Sequence, residues 1–249
     1  MLPNKYIILI FLLVNTDHLL AQINLRPNQY EGYVMMSDSI KKEMIIEVED
    51  AKLPWAFQEK VRYFDKSLAT GSRVKREVKK DCIPGEVIEY GIGGRKFMYI
   101  NHHIKDKKDK NIASSAISKF KDDKNSDFFA EVIKEGKIKV LILYPRPEIS
   151  EDDYENDTIM DQYKKTSEAT FDLLLSKIDQ KPKSVNDINF KGFFKDCLFI
   201  VKKFEDEKYT IGPKKGLNVI MLKDRLAGPE LRSAVELILQ DYRDNCGDF

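Results

Sequence analysis

Two runs of strand-forming residues, 86–92 (EVIEYGI) and 95–100 (RKFMYI), are separated only by Gly93-Gly94. Paired glycines accept the positive φ angles of a two-residue hairpin turn, so these runs predict adjacent antiparallel strands. The pattern recurs. Residues 128–133 (FFAEVI) and 137–144 (KIKVLILY) flank Glu135-Gly136, and the second run is apolar enough for a central, buried strand that Pro145 and Pro147 then stop. Tyr33–Met36 and residues 42–48 (KEMIIEV) flank a connector that begins Ser37-Asp38-Ser39. In residues 60–64 (KVRYF), Val61 and Tyr63 alternate with Arg62 and Phe64, which fits a short strand. Residues 169–178 (ATFDLLLSKI) suit either period and are read as a strand.

The last third changes period. Phe190, Phe193, Phe194, Cys197, Leu198, Val201 and Phe204 recur at helical spacing, which predicts one helix capped by Asp187 and running through Phe204. A row of Phe at this spacing reads as core. Pro229 suits the first turn of a final helix with Leu231, Val235, Ile238 and Tyr242 on one face. The expected fold class is α+β: an antiparallel, hairpin-rich β part followed by a C-terminal helical part. The corresponding division is residues 1–21 as a signal peptide, 22–178 as a mainly β region and 179–249 as a mainly helical region packed on it.

The leader reading comes from the opening MLPNKYIILIFLLVNTDHLLAQ. Lys5 gives a positive start, Tyr6 to Val14 is an unbroken apolar run of nine residues, and Leu19-Leu20-Ala21 ends in a small residue. A secretory signal peptide has these three parts, and a membrane span needs about 20 apolar residues. Cleavage is expected after Ala21, leaving Gln22 first. The mature chain is then expected to be exported to the periplasm, the cell surface or the medium, with no membrane span.

Charge narrows the function classes. With 42 Lys+Arg against 41 Asp+Glu, the formal charge is +1, which gives no bulk attraction to nucleic acid. The lysine- and aspartate-rich stretch 105–127 mixes seven Lys with five Asp and reads as a solvated surface loop. The acidic stretch 148–157 lacks the calcium-loop pattern and reads the same way. The Gly-Ile-Gly-Gly at residues 91–94 lacks phosphate-loop spacing. His102 and His103 are adjacent, so on a strand they face opposite ways and cannot share a metal. No catalytic residue, cofactor or metal site is therefore expected.

Two features remain as candidates. Cys82, Cys197 and Cys246 are odd in number, so at most one internal bridge forms. Cys197–Cys246 is the candidate disulfide, stapling the chain end to an earlier helix, and unpaired thiols are the alternative. Trp55 beside Pro54 is a candidate contact residue if its ring is exposed, and a core residue otherwise.

The layout resembles a broad group of secreted bacterial proteins. The likeness rests on the Ala21-Gln22 leader end, the strand start Gly32-Tyr33-Val34, the Glu135-Gly136 hairpin and the later Phe194-Lys195-Asp196-Cys197. It departs in the charged insert at 105–127. The resemblance implies export and a hairpin-rich β domain with C-terminal helices, and brings no catalytic residues. The expected function is thus a non-enzymatic binding or envelope-associated module. The competing expectation is a carboxylate-dependent hydrolase of a cell-envelope polymer, since such enzymes need two acids about 5–10 Å apart.

Overall fold

A computed structural model describes residues 25–59, 61–69, 75–102, 126–178, 180–211 and 228–247. The leader, His103 and most of the insert at 105–127 lie outside the described residues. So do residues 212–227, which include the short apolar run LNVIML at 217–222.

Among the described residues, ten strands form one antiparallel sheet: β1 (Gln29–Met36), β2 (Lys41–Val48), β3 (Val61–Phe64), β4 (Lys80–Asp81), β5 (Val87–Ile92), β6 (Arg95–His102), β7 (Ser126–Lys134), β8 (Ile138–Leu143), β9 (Asp172–Lys177) and β10 (Lys183–Ser184). Their order is β10-β9-β8-β7-β6-β5-β1-β2-β3-β4. Two meanders are therefore fused back to back. β1 to β4 step outward one way; β5 returns to the free side of β1, and β5 to β10 step outward the other way. The join needs two glycines. A Cβ on Gly32 would collide with the Gly91 carbonyl, and one on Gly91 would collide with the Tyr33 ring that lies across it.

The predicted α+β class holds, with the β part first. The Gly93-Gly94 turn has φ of 55° and 78°, the positive values that the glycine pair permits. Residues 172–177 form β9, so the period-2 reading of that stretch was the operative one: Leu173 and Leu175 face one side and Leu174 the other, and all three are buried.

Two helical readings need correction. The acidic stretch read as loop starts two helices, α1 (Glu151–Tyr154) and α2 (Asp157–Ala169). Ser150 and Asn156 cap them by accepting from Asp153 N–H and from Thr158 and Ile159 N–H, and acidic residues in the first turns suit the helix N-terminal dipole. The single Phe-rich helix is instead two, α3 (Phe190–Phe193) and α4 (Leu198–Glu205), with Asn189 rather than Asp187 as first cap. The break falls at Phe194 to Cys197, where the Cys197 N–H bonds back to the Phe194 carbonyl. The final helix, α5 (Gly228–Cys246), buries Leu231, Val235, Ile238 and Tyr242 as expected, with Leu239 besides.

Two large cores lie on one face of the sheet. The first gathers Trp55, Phe57, Tyr90, Phe97 and Phe129 under the Pro54–Phe57 turn. The second gathers Ile138, Val140, Ile142, Leu173 and Leu175 beneath Phe194, Ile200 and the α5 face. The opposite face of β6 to β9 holds a third, smaller cluster: Ile100, Phe128, Ala130, Leu141, Leu143 and Leu174.

That third cluster sits in a strong curl. The rung through Asp172 meets β8 at Leu143 and, by extension of the β7–β8 register, β6 near Met98. In a flat sheet, three strand spacings and four residues would put Asp172 and His102 about 20 Å apart. Their side chains are 3.5 Å apart. The ends of β6 and β9 therefore bend toward each other over the smaller apolar cluster.

Candidate functional site

The most developed polar site lies at the seam between the two large cores. Tyr144, just beyond β8, packs against both of them. Strand alternation puts Arg95 on the face of Phe97, and Glu131 on the face of Phe129. The two meet across the sheet: Arg95 Nε donates to Glu131 Oε1 at 2.7 Å and Nη2 to Oε2 at 2.8 Å. Such a side-on pair fixes the guanidinium plane as well as its position. The same guanidinium lies 4.2 Å from the Phe57 ring centre and 4.9 Å from that of Phe97.

Gln58 explains how a loop residue comes to sit here. Its amide donates to the Ile142 carbonyl at 3.3 Å and accepts from the Tyr144 N–H at 2.8 Å. The described β7–β8 ladder ends at Glu131↔Ile142, so Gln58 supplies the next rung. The Tyr90 hydroxyl donates to the Phe57 carbonyl, which ties the same turn to β5. On the rim, Arg146 bonds both Glu59 and the Tyr154 hydroxyl.

The electrostatics hold the seam in one state near neutral pH. Burial pushes the Tyr144 hydroxyl up to about 12; the Glu131 charge adds to this, and Arg95 and Arg232 oppose it. Burial disfavours the Arg95 charge, but the Glu131 hydrogen bonds and charge outweigh it and raise its pKa. Tyr144 therefore stays a donor and Arg95 stays a cation. The arrangement can hydrogen-bond and offer ring contact, and neither group is poised to move a proton.

A second polar group closes the curl. Asp172 accepts from the Ser184 hydroxyl at 2.6 Å through Oδ1, while its Oδ2 lies 3.5 Å from His102 Nε2. His102 and Ser184 are buried. The aspartate stands between the other two, so the serine proton faces a carboxylate and not the imidazole. This is not the serine–histidine contact that activates a nucleophile.

The remaining buried carboxylates are matched with cations. Glu47 meets Lys79 at 2.5 Å and Arg62 at 3.6 Å, and accepts from Gln29 at 2.7 Å. Glu89 meets Lys96 at 2.7 Å and Lys41 at 3.4 Å, and accepts from Tyr33. Burial alone would raise both, but these partners outweigh it and hold both below the usual carboxylate range. Among the described residues no group of three or more His, Cys, Asp or Glu gathers to hold a metal, and no helix is long and apolar enough to cross a membrane.

The sequence candidates fall as follows. Cys197 and Cys246 form a disulfide with Cα atoms 5.5 Å apart. Cys82 is a free, buried thiol. Trp55 is only 2% exposed and lies inside the first core, so the contact role does not hold; Pro54 starts a tight turn that folds the indole inward. Arg95, Glu131 and Gln58 were not singled out from sequence. Their signal was phase: Arg95 and Glu131 stand where strand alternation calls for an apolar side chain. Comparison with protein-family models, curated proteins and solved structures gave no match to this chain.

Proposed function

We propose that the mature chain is an exported, non-enzymatic binding module that takes its ligand at the seam around Arg95, Glu131 and Tyr144. The observation that carries this reading is the clamped Arg95–Glu131 pair beside Tyr144, a set of oriented hydrogen-bonding groups over aromatic rings. Export rests on the leader at residues 1–21, and places the protein in the periplasm, on the cell surface or in the medium. The near-neutral charge supports a ligand other than nucleic acid.

The competing hydrolase would need a carboxylic acid kept protonated near neutral pH. Glu47 and Glu89 are held the other way by their lysines, which favours the binding reading. The test uses the chain from Gln22 onward and the insoluble cell-envelope fraction of the source cells. Co-sedimentation that is lost in Arg95→Met, with no soluble fragments released, is the expected result. Fragment release abolished by a carboxylate substitution would establish the hydrolase instead. Binding indifferent to Arg95 would move the site elsewhere. Sequencing the N-terminus of protein from fractionated cells tests export, and a start at Met1 overturns it.

A further inference from the structure

We propose that the Cys197–Cys246 disulfide is a redox clasp that seats α5 and so completes the seam. The inference rests on the seam reading for its functional half only. α5 is anchored along its whole length. At its start, Gly228 lies so close to the end of α2 that a Cβ there would collide with the Ala169 carbonyl. One turn on, Leu231 and Val235 enter the second core, the cluster against which the Tyr144 ring at the seam packs. In the middle, Asp241 takes Lys203 and the Tyr209 hydroxyl, each at 2.7 Å. At its end, Tyr242 donates to Asp196 at 2.8 Å, and Cys246, the last helical residue, is bonded to Cys197.

These anchors differ in kind. Lys203 and Asp241 are partly exposed, so their ion pair is screened and weak. The disulfide joins positions 49 residues apart. It is the one covalent tie among the described residues between α5 and the rest of the second core. Breaking a loop of that length is worth about a thousandfold in the equilibrium between seated and released helix on the chain-entropy account. Cys197 is buried at the start of α4, whereas Cys246 is partly exposed, so a reagent reaches the bond from the Cys246 side. The third thiol, Cys82, is enclosed in the first core and takes no part.

Formation is a thiol–disulfide exchange. The two cysteine thiols lose two protons and two electrons to the disulfide of an external oxidant, which leaves as two thiols. A chain still in a reducing compartment would carry α5 untied; transfer to an oxidising one would close the clasp and complete the packing beside Tyr144.

The experiment is amide hydrogen exchange on the purified mature chain, oxidised and after reduction by a water-soluble phosphine, with thiol alkylation followed by mass. The expected result is exchange in residues 228–246 faster by a hundredfold or more on reduction. Amides of β1, β2, β5 and β6 should change less than twofold, and Cys82 should remain unalkylated. Cys246→Ser in oxidising buffer should match the reduced protein. Unchanged α5 protection with Cys197 and Cys246 fully reduced would overturn the clasp. Loss of protection in both cores together would also overturn it, because the bond would then act on the whole fold. Co-sedimentation with the envelope fraction should fall on reduction. If the oxidised protein binds no envelope, the seam reading fails, while the exchange data still judge the clasp.

Discussion

The core under the Pro54–Phe57 turn and the core under α5 are built from similar rings but are closed by different means. In the first, Phe57 and Tyr90 stack on Phe97 at 5.5 and 4.9 Å, and Phe129 meets Tyr90 edge-on. Its lid is a four-residue turn joined closely in sequence to the sheet it covers. In the second, Phe194 contacts Phe204 and Tyr242, and the lid is a nineteen-residue helix from the far end of the chain. A local lid costs little loop-closure entropy, whereas a remote one costs more and here carries a covalent tie. The contrast shows why the cysteine pair belongs to one core and not the other.

The sharpest break of this comparison is Phe97→Ala. Phe97 is fully buried and central to the ring stack, so its truncation should cost about 3–5 kcal/mol in chemical denaturation. The loss should be the same in oxidised and reduced protein. Phe194→Ala, also fully buried, should cost a similar amount but couple to reduction, because it loosens the surface on which α5 rests. Additive effects at Phe194 would dissolve the distinction between the cores.

Alkaline titration next probes the buried thiol of the first core. Burial, with a smaller contribution from Asp81, pushes the Cys82 thiol from 9.0 up to about 12. In the unfolded chain the thiol ionises first. Its contribution is therefore full below pH 9 and lost as pH rises toward 12, to a total of up to about 4 kcal/mol at 1.36 kcal/mol per unit. Cys82→Ala should remove that share of the alkaline loss and leave the share due to raised tyrosines such as Tyr144 and Tyr242. A curve unchanged by the substitution would show that Cys82 is not the titrating group.

Arg95→Met removes one half of a partly exposed pair at the seam and should cost about 1–3 kcal/mol, less than a fully buried pair would. Arg95→Met/Glu131→Leu should recover part of it, since no carboxylate is then left unpartnered. The smallest effect belongs to the open face of the first half. Lys66 meets Glu43 at 2.9 Å and Glu31 at 3.0 Å, but both carboxylates are exposed. Lys66→Ala should leave the denaturation midpoint almost unchanged, and any shift should shrink further at high salt.

Legibility in the sequence followed the range of the interactions. Hairpins were readable because a Gly93-Gly94 or Glu135-Gly136 turn and two alternating runs lie side by side, and β9 was readable from Phe171, Leu173 and Leu175. The meander fusion was not: the Gly32–Gly91 approach pairs residues far apart in the chain, and neither glycine announces its partner. The Phe-rich helix broke because the Asn189 and Cys197 turns overrode a spacing that is helical on average. α2 was hidden by its surface position, since a helix with few apolar residues has a weak periodic signal. At the candidate site, Arg95 and Glu131 were visible as misplaced polar residues. The insertion of Gln58 beside Tyr144 depends on where β7 and β8 part, which no local pattern encodes.

The sheet ends in β4 on one side and β10 on the other, each two residues long. A long unpaired strand would offer its row of amides and carbonyls to any passing chain. Here Lys80-Asp81 pairs with Arg62 and Tyr63 of β3, and Lys183-Ser184 with Leu174 and Leu175 of β9, so each marginal strand gives almost nothing of its own to copy. Margins this short make a poor template for edge-to-edge pairing, so the breadth of the sheet is not matched by a long strand laid open at either end.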